Sequence, residues 1–214
     1  MILSLISQKG GVGKSTLARL MGVEMARAGW RVMIADLDAA QGTSTIWKLR
    51  RDRDGIEPDL DVQKFRSVER ALAEAARFDL LILDGPAHAE RGGLTMARKS
   101  DLVILPTGYS LDDLEPQMRV AFELEEAGIA PGKIRLGLGR VRGSARERAE
   151  VCDYIKRAGL IALDGELREL PTIRQAHTIG RAASETAHKR INEEAKALAA
   201  EVAAVMMAGQ GADA

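Results

Sequence analysis

Apolar positions along the chain follow two rhythms. Five short runs are nearly continuous in valine, isoleucine and leucine: ILSLIS (2–7), RVMIAD (31–36), DLLILD (79–84), DLVILP (101–106) and KIRLGLGRV (133–141). A strand with one wet face alternates apolar and polar residues. Unbroken runs of this length predict strands covered on both faces, as in a parallel sheet. Between the runs, apolar residues recur at helical spacing. The stretch 14–28 carries Leu17, Leu20, Met21 and Met25 ahead of Gly29, a plausible helix stop. Four more helices are predicted over 68–77, 111–127, 145–158 and 186–208. Strand and helix therefore alternate from end to end. The expected fold is α/β, a mostly parallel twisted sheet flanked by helices on both faces and joined by right-handed crossovers. No repeat or linker divides the chain, so one domain is expected over 1–208, with a disordered tail over 209–214.

Composition narrows this picture modestly. At 214 residues the chain can bury a core without staples. Cys152 is the only cysteine, which excludes an internal disulfide and fits a reducing compartment. Lys+Arg and Asp+Glu both number 31, so a uniformly basic nucleic-acid binder is excluded, but a local basic face is not. No apolar run is long enough to span a bilayer. The start, MILSLISQKGG, lacks the basic region and cleavage site of a signal peptide. A cytoplasmic protein is expected.

The stretch SQKGGVGKST (7–16) lies between the first strand and the first helix. Backbone N–H groups of such a loop point inward and cradle phosphate oxygens, and the helix N-terminus adds a favourable dipole. Gly10, Gly11, Val12 and Gly13 form the loop. Lys14 can reach the β- and γ-phosphates, Ser15 can place its hydroxyl on Mg²⁺, and Thr16 follows near the α-phosphate. The common pattern G-x-x-x-x-G-K-[ST] needs a glycine where Gln8 stands, and a second lysine, Lys9, precedes the glycines. Ligands of parallel α/β sheets bind at the carboxyl ends of strands. Asp36 and Asp38 lie at the end of the second run and Asp84 at the end of the third.

KGGVGKS (9–15) resembles the deviant Walker A motif of the ParA/MinD family of ATPases. DLDAAQG (36–42) resembles that family's D-x-D-P-Q-[GA] segment, with Ala39 in place of proline. LDGPA (83–87) is similar to its D-x-P-P segment, with Ala87 in place of the second proline. Weaker likenesses in DLVILPTGYSLDDLE (101–115) and IRQAHTIGRAASE (173–185) spread the resemblance over most of the chain. It implies a P-loop NTPase of the SIMIBI type using ATP and Mg²⁺. Lys14 would serve the subunit's own nucleotide, and Lys9 would reach the phosphates of the partner in an ATP-dependent homodimer. Asp38 would orient the attacking water. Ser15, Asp36 and Asp84 would serve the metal. Segments near Arg140 and Pro171 would contact adenine, although the family's usual asparagine is absent from GLGRVRG (137–143). Slow hydrolysis suits this catalytic inventory.

The branches of the family differ in what they touch. Residues 193–214 hold four acids and one lysine, so an anionic bilayer would repel the last helix. Its stripe of Leu198, Val202, Val205 and Met206 is read as core, and no membrane partner is expected. A lone Cys152 cannot bridge an iron–sulfur cluster. The best fit is a small ParA-type partition ATPase. It would lack an operator-reading extension of its own, work with a separate centromere-binding adaptor, bind DNA non-specifically and associate with the nucleoid. Residues 140–190 hold 11 basic and 7 acidic side chains. Arg146, Arg148, Arg168, Arg174, Arg181, Lys189 and Arg190 are the candidate DNA contacts, and a solvated surface of i,i+4 pairs is the alternative. The run KLRRDRD (48–54) reads as solvated, Trp47 as packing, and His88, His177 and His188 as too scattered for a metal. Two rivals remain: an ATPase on the same scaffold that positions another cargo or regulates a protein complex, and an ATP-dependent metabolic enzyme.

Overall fold

Seven strands form one sheet in the order β3-β2-β4-β1-β5-β6-β7, and every neighbouring pair is parallel. They are β1 (Ile2–Ser7), β2 (Val32–Asp36), β3 (Asp61–Lys64), β4 (Leu80–Ala87), β5 (Leu102–Thr107), β6 (Ile134–Val141) and β7 (Ala162–Arg168). The helices are α1 (Lys14–Arg27), α2 (Thr43–Arg53), α3 (Val68–Leu72), α4 (Glu90–Lys99), α5 (Leu111–Glu126), α6 (Ala145–Arg157), α7 (Pro171–Thr178) and α8 (Lys189–Gln210). This computed structural model describes residues 1–38, 42–87 and 90–210. Among the described residues no helix is long and apolar enough to cross a membrane.

The five apolar runs are all strands, each within three residues of its expected ends. Residues 3–7 of β1 and all of β2 and β5 are buried, because helices cover both faces. On one face α1, α8, Trp47 of α2 and Ile173 of α7 pack against Leu3, Leu5, Ile34, Ile82 and Ile104. On the other, α3, α4, α5 and α6 pack against Met33, Leu81, Leu83, Val103 and Leu105.

The pattern missed β3 and β7, the two edges of the sheet. Each is polar: DVQK in β3 is largely exposed, and ALDGELR in β7 buries only Leu163 and Leu167. Three helices were also missed. Of these, α2 buries Ser44, Trp47 and Arg51, a face with one apolar residue, while α4 contains two glycines and α7 has only 8 residues. The stretch 68–77 divides into α3 and a short 3-10 turn over Ala75–Arg77. Helix α6 starts where expected because Ser144 and Glu147 form a capping box. Helix α8 runs through Gln210, so 209–210 are helical rather than tail, and 211–214 lie outside the described residues. Its Leu198, Val202 and Met206 are buried in the core, as the stripe implied.

The run 48–54 corrects the reading of a solvated surface. Arg51 is fully buried on α2. Its Nη1 donates to Glu185 Oε2 at 2.7 Å, Nη2 to Glu185 Oε1 at 3.1 Å, and Nε to the Pro58 carbonyl at 3.1 Å. Trp47 lies within 5.5 Å of Arg51 and 5.6 Å of Arg19, and its indole N–H donates to the Arg181 carbonyl at 3.0 Å. Gly180 packs so closely that a Cβ there would lie 2.4 Å from the Arg51 nitrogen, and its φ of +76° suits glycine. Helix α2 is therefore joined to the segment that follows α7 by backbone contact as well as by charge.

His177 on α7 has a buried Nε2 with no hydrogen-bond partner. Burial, helped by the nearby Arg19 charge, pushes its pKa down to about 3 from 6.5. Between those values the unfolded chain binds the extra proton, so stability rises with pH. The contribution is complete above pH 6.5 and is lost as pH falls toward 3. Urea unfolding at pH 5 is expected to show about 2 kcal/mol less from this group than at pH 7.5. A His177→Leu variant should show a correspondingly smaller drop. Equal drops in variant and parent would remove His177 from the acid response.

Candidate nucleotide site

The central strand β1 ends against the sheet's carboxyl edge, and the chain then turns through 8–13 into α1. Gly13 precedes the helix at φ 103°, a left-handed conformation that fits glycine. Val12 buries its side chain, so it has backbone to offer a phosphate. Lys14 is 8% exposed and curls back into the loop. Its Nζ donates to Ser7 Oγ at 2.5 Å and to the Lys9 carbonyl at 3.3 Å. Burial lowers the pKa of this ammonium, while the charges of Asp84 and Asp38 oppose the shift. The loop mouth is a cleft of about 280 Å³ lined by Gly10, Gly11, Gly13, Lys14, Ser15, Thr16, Arg19, Asp38, Thr43, Gly85 and Arg140.

The strand-end carboxylates sit behind this cleft. Asp36 is fully buried: Oδ1 accepts from the Asp38 N–H at 3.2 Å, and Oδ2 accepts from the Thr45 N–H at 3.0 Å and hydroxyl at 3.1 Å. Gly42 gives α2 no side-chain cap, so Asp36 satisfies a first-turn N–H from a distance. Ser44 donates to Asp84 Oδ2 at 2.7 Å, and the Ser15 and Thr43 hydroxyls lie 3.2 Å apart. The first turn of α2 thus touches both carboxylates and the first turn of α1. Burial raises the Asp84 pKa to about 6, against the hydrogen bond from Ser44 and the nearby Ser15 hydroxyl.

Asp84 Oδ1 is buried with no hydrogen-bond partner. A carboxylate oxygen left open beside the hydroxyls of Ser15 and Thr43 is a hard donor set, and it fits Mg²⁺, which keeps water and substrate phosphates in its shell. Among the described residues no three histidine, cysteine or carboxylate groups converge. Asp36, which the resemblance gives a supporting role toward the metal, also holds Asp38 and the first turn of α2 through its two oxygens.

Arg140 lines the mouth, and Lys9 stands on the loop next to Gly10 with its side chain tied to α5. Arg140, at the end of β6, donates from Nη1 to the Gly11 carbonyl at 2.6 Å and from Nη2 to Glu169 at 2.7 Å. It is a non-glycine residue at positive φ, 52°. Pro171 opens α7 two residues beyond Glu169 and is not among the cleft residues. Lys9 is bound within its own chain, to the Asp112 carbonyl and to Asp113 Oδ1 at 3.1 Å, at the N-terminus of α5. Lys9 and Asp113 side chains are 40% and 37% exposed, so little holds the pair together.

Sequence reasoning missed Thr43, Ser44, Thr45, Arg19 and Gln117. The first three form a run of hydroxyls just after the aspartates, which was a usable signal. Gln117 on α5 was not signalled. Its Oε1 accepts from the Gln8 N–H at 3.1 Å, and its Nε2 donates to the Ile6 and Pro106 carbonyls, pinning the loop's first residue. Ala39 and His88 lie outside the described residues.

The seven candidate DNA contacts do not gather on one face. Arg146 and Arg148 belong to α6, on the opposite side of the sheet from α7 and α8. Arg146 pairs with Glu150, Arg148 with Glu166, Lys189 with Glu193 and Arg190 with Glu194. Arg168, Arg174 and Arg181 are exposed and have no ion pair among the described residues.

A glycine-built phosphate cradle at the carboxyl edge of a parallel sheet, with a lysine folded into it, places the chain in the class of P-loop nucleotide-binding proteins. The CobQ/CobB/MinD/ParA nucleotide binding domain model, CbiA, matches residues 3–203, and the chain belongs to that family. It is 29% identical over 166 residues to the chromosome-partitioning ATPase Soj of Thermus thermophilus, covering 64% of this chain and 67% of that one. Among solved structures it is similar to the septum site-determining protein MinD of Pyrococcus horikoshii complexed with Mg-ADP: the TM-score is 0.74 at 20% identity, covering 94% of this chain and 95% of that one. A ParA family ATPase from Chlorobium tepidum gives 0.67 at 18% identity, covering 93% and 98%. The two structures share the fold.

Proposed function

We propose that this chain is a ParA-type ATPase that binds Mg²⁺ and ATP, pairs with a second copy across the nucleotides, and then grips DNA non-specifically to partition a plasmid or chromosome. A separate centromere-binding adaptor stimulates its slow hydrolysis. The observation that carries this reading is the pair of lysines on one loop. Lys14 is folded inside, while Lys9, next to Gly10 of the cleft, is held by a weak surface pair that a second molecule's phosphates can outcompete. Two triphosphates brought face to face concentrate negative charge, and a lysine from each side offsets it. The Thermus relative, a chromosome-partitioning ATPase by name, supports the same direction.

In the hydrolytic step Lys14 and the backbone of 10–13 hold the phosphates. Ser15, Thr43 and Asp84 would hold Mg²⁺, which supplies charge neutralisation on the phosphate oxygens. Asp36 keeps Asp38 in place at the cleft, and Asp38 orients water. Asp38→Ala is expected to leave nucleotide affinity near the parent's while lowering turnover by about a hundred-fold or more. Normal turnover in that variant would remove Asp38 from the role. Base contacts come from the segments around Arg140 and Pro171, which the Arg140–Glu169 pair ties together.

The test is light scattering with ADP, ATP and a non-hydrolysable analogue, with and without DNA. Dimers with ATP or the analogue alone, and DNA capture by that form, are expected. A monomer under every condition would overturn the reading and favour the metabolic enzyme. A second reading, positioning of a protein cargo, is favoured by the pairing of four of the seven candidate DNA cations. A dimer that shows no salt-sensitive DNA binding would select it.

A further inference from the structure

Arg19 is the most unusual charge in the molecule. It lies on α1 one turn beyond Ser15, is 8% exposed, and lines the nucleotide cleft. Every other buried charged side chain has a hydrogen-bond partner; Arg19 has neither a hydrogen bond nor an ion pair among the described residues, and its Nε is buried without a partner. What fixes it is the Trp47 ring, 5.6 Å from its guanidinium carbon. Burial pushes its pKa down to about 10 and the Arg50 charge adds to the shift, while the charges of Asp84 and Asp36, the two carboxylates behind the cleft, oppose it. A buried cation that touches neither carboxylate but sits within range of both does not serve as a salt bridge. It supplies field.

We propose that Arg19 is the resident counter-charge of the Asp36–Asp84 pair and makes the site accept a divalent cation only together with a polyphosphate. The inference rests on the cation-site reading given above. Lys14 and Arg19 offset the two buried carboxylates, which leaves Asp38 and Arg140 as the charges at the mouth. A bare divalent ion entering such a site meets two fixed cations and gains little. The same ion arriving with a polyphosphate brings net negative charge, which both cations attract. Arg19 is thus a specificity-determining residue acting through space, and Trp47 keeps it from collapsing onto either carboxylate and closing the site.

The test titrates free Mn²⁺ into the whole protein by electron paramagnetic resonance at pH 8, with and without a non-hydrolysable ATP analogue. The parent is expected to bind free Mn²⁺ weakly and Mn²⁺ with the analogue tightly. Arg19→Met, which keeps an apolar stem against Trp47, should bind free Mn²⁺ about ten-fold more tightly, and Arg19→Lys should resemble the parent. Arg19→Gln is measured alongside, so that a folded uncharged variant is in hand. Unchanged free Mn²⁺ affinity in a folded Met or Gln variant that still binds the Mn²⁺–analogue complex overturns the role of Arg19 alone. A folded parent that binds no Mn²⁺–analogue complex overturns the cation-site reading and this inference with it.

Discussion

Replacing Lys14 with alanine should abolish measurable binding of adenosine triphosphate while leaving the fold intact. The ammonium is buried, and its partners are the Ser7 hydroxyl and the Lys9 carbonyl, so it is committed to the loop and not to the core. Its removal deletes a charge-assisted contact in a site of low exposure, where such contacts are strongest. Affinity is expected to fall at least a hundred-fold, about 3 kcal/mol. Calorimetric titration checks this, with thermal melting alongside. The melting temperature should shift by only a few degrees, since no fixed acid is left without a partner: Asp84 retains Ser44, and Asp36 retains Thr45. A variant that binds nucleotide within a few-fold of the parent would show that the cradle is not the binding site.

Arg51→Ala is expected to be the most destabilising single change outside the apolar core. The guanidinium bridges α2 to the segment around Glu185 and to the Gly180 and Pro58 carbonyls. Burial alone would push the Glu185 carboxyl up, yet the Arg51 hydrogen bonds and charge win and hold it below its ordinary value. Truncation leaves that carboxylate with Arg27 at 2.9 Å and the Ala182 N–H at 2.8 Å. Fully stranding one partner of a buried pair costs about 3–5 kcal/mol, and the contacts that Glu185 keeps put this loss at the lower end. For a chain of this size that is a fall in melting temperature of roughly 10 °C. Removing both charges, with Arg51→Met and Glu185→Leu together, should recover much of the loss. If the double variant is as unstable as the single, packing rather than stranded charge is responsible.

The sequence made the centre of this molecule legible and its margins obscure, for a physical reason. The inner strands are apolar on both faces, and a loop crowded with glycine and lysine leaves a signature in residue order. The edge strands β3 and β7 face water on their flanks, so DVQK and ALDGELR resemble loops. Helix α2 was invisible because its buried face contains Arg51, whose partner Glu185 lies 134 residues away. Local pattern does not encode a pairing across that distance. The same applies to Arg19: one buried arginine among leucines reads as an exposed side chain until Trp47 is seen against it. The spacing of Asp36, Asp38 and Asp84 was readable, but their division of labour was not, because Asp36 is occupied by the backbone and hydroxyl of Thr45.

The two polar margins of the sheet also bear on how copies of this protein can meet. A strand that adds to another molecule's sheet needs a long, flat border with free amides and little charge. Here one border is four residues long and carries Asp61 and Lys64, and the other carries Asp164, Glu166 and Arg168. Both borders therefore disfavour strand addition between copies, so a second copy has to meet this one through another surface.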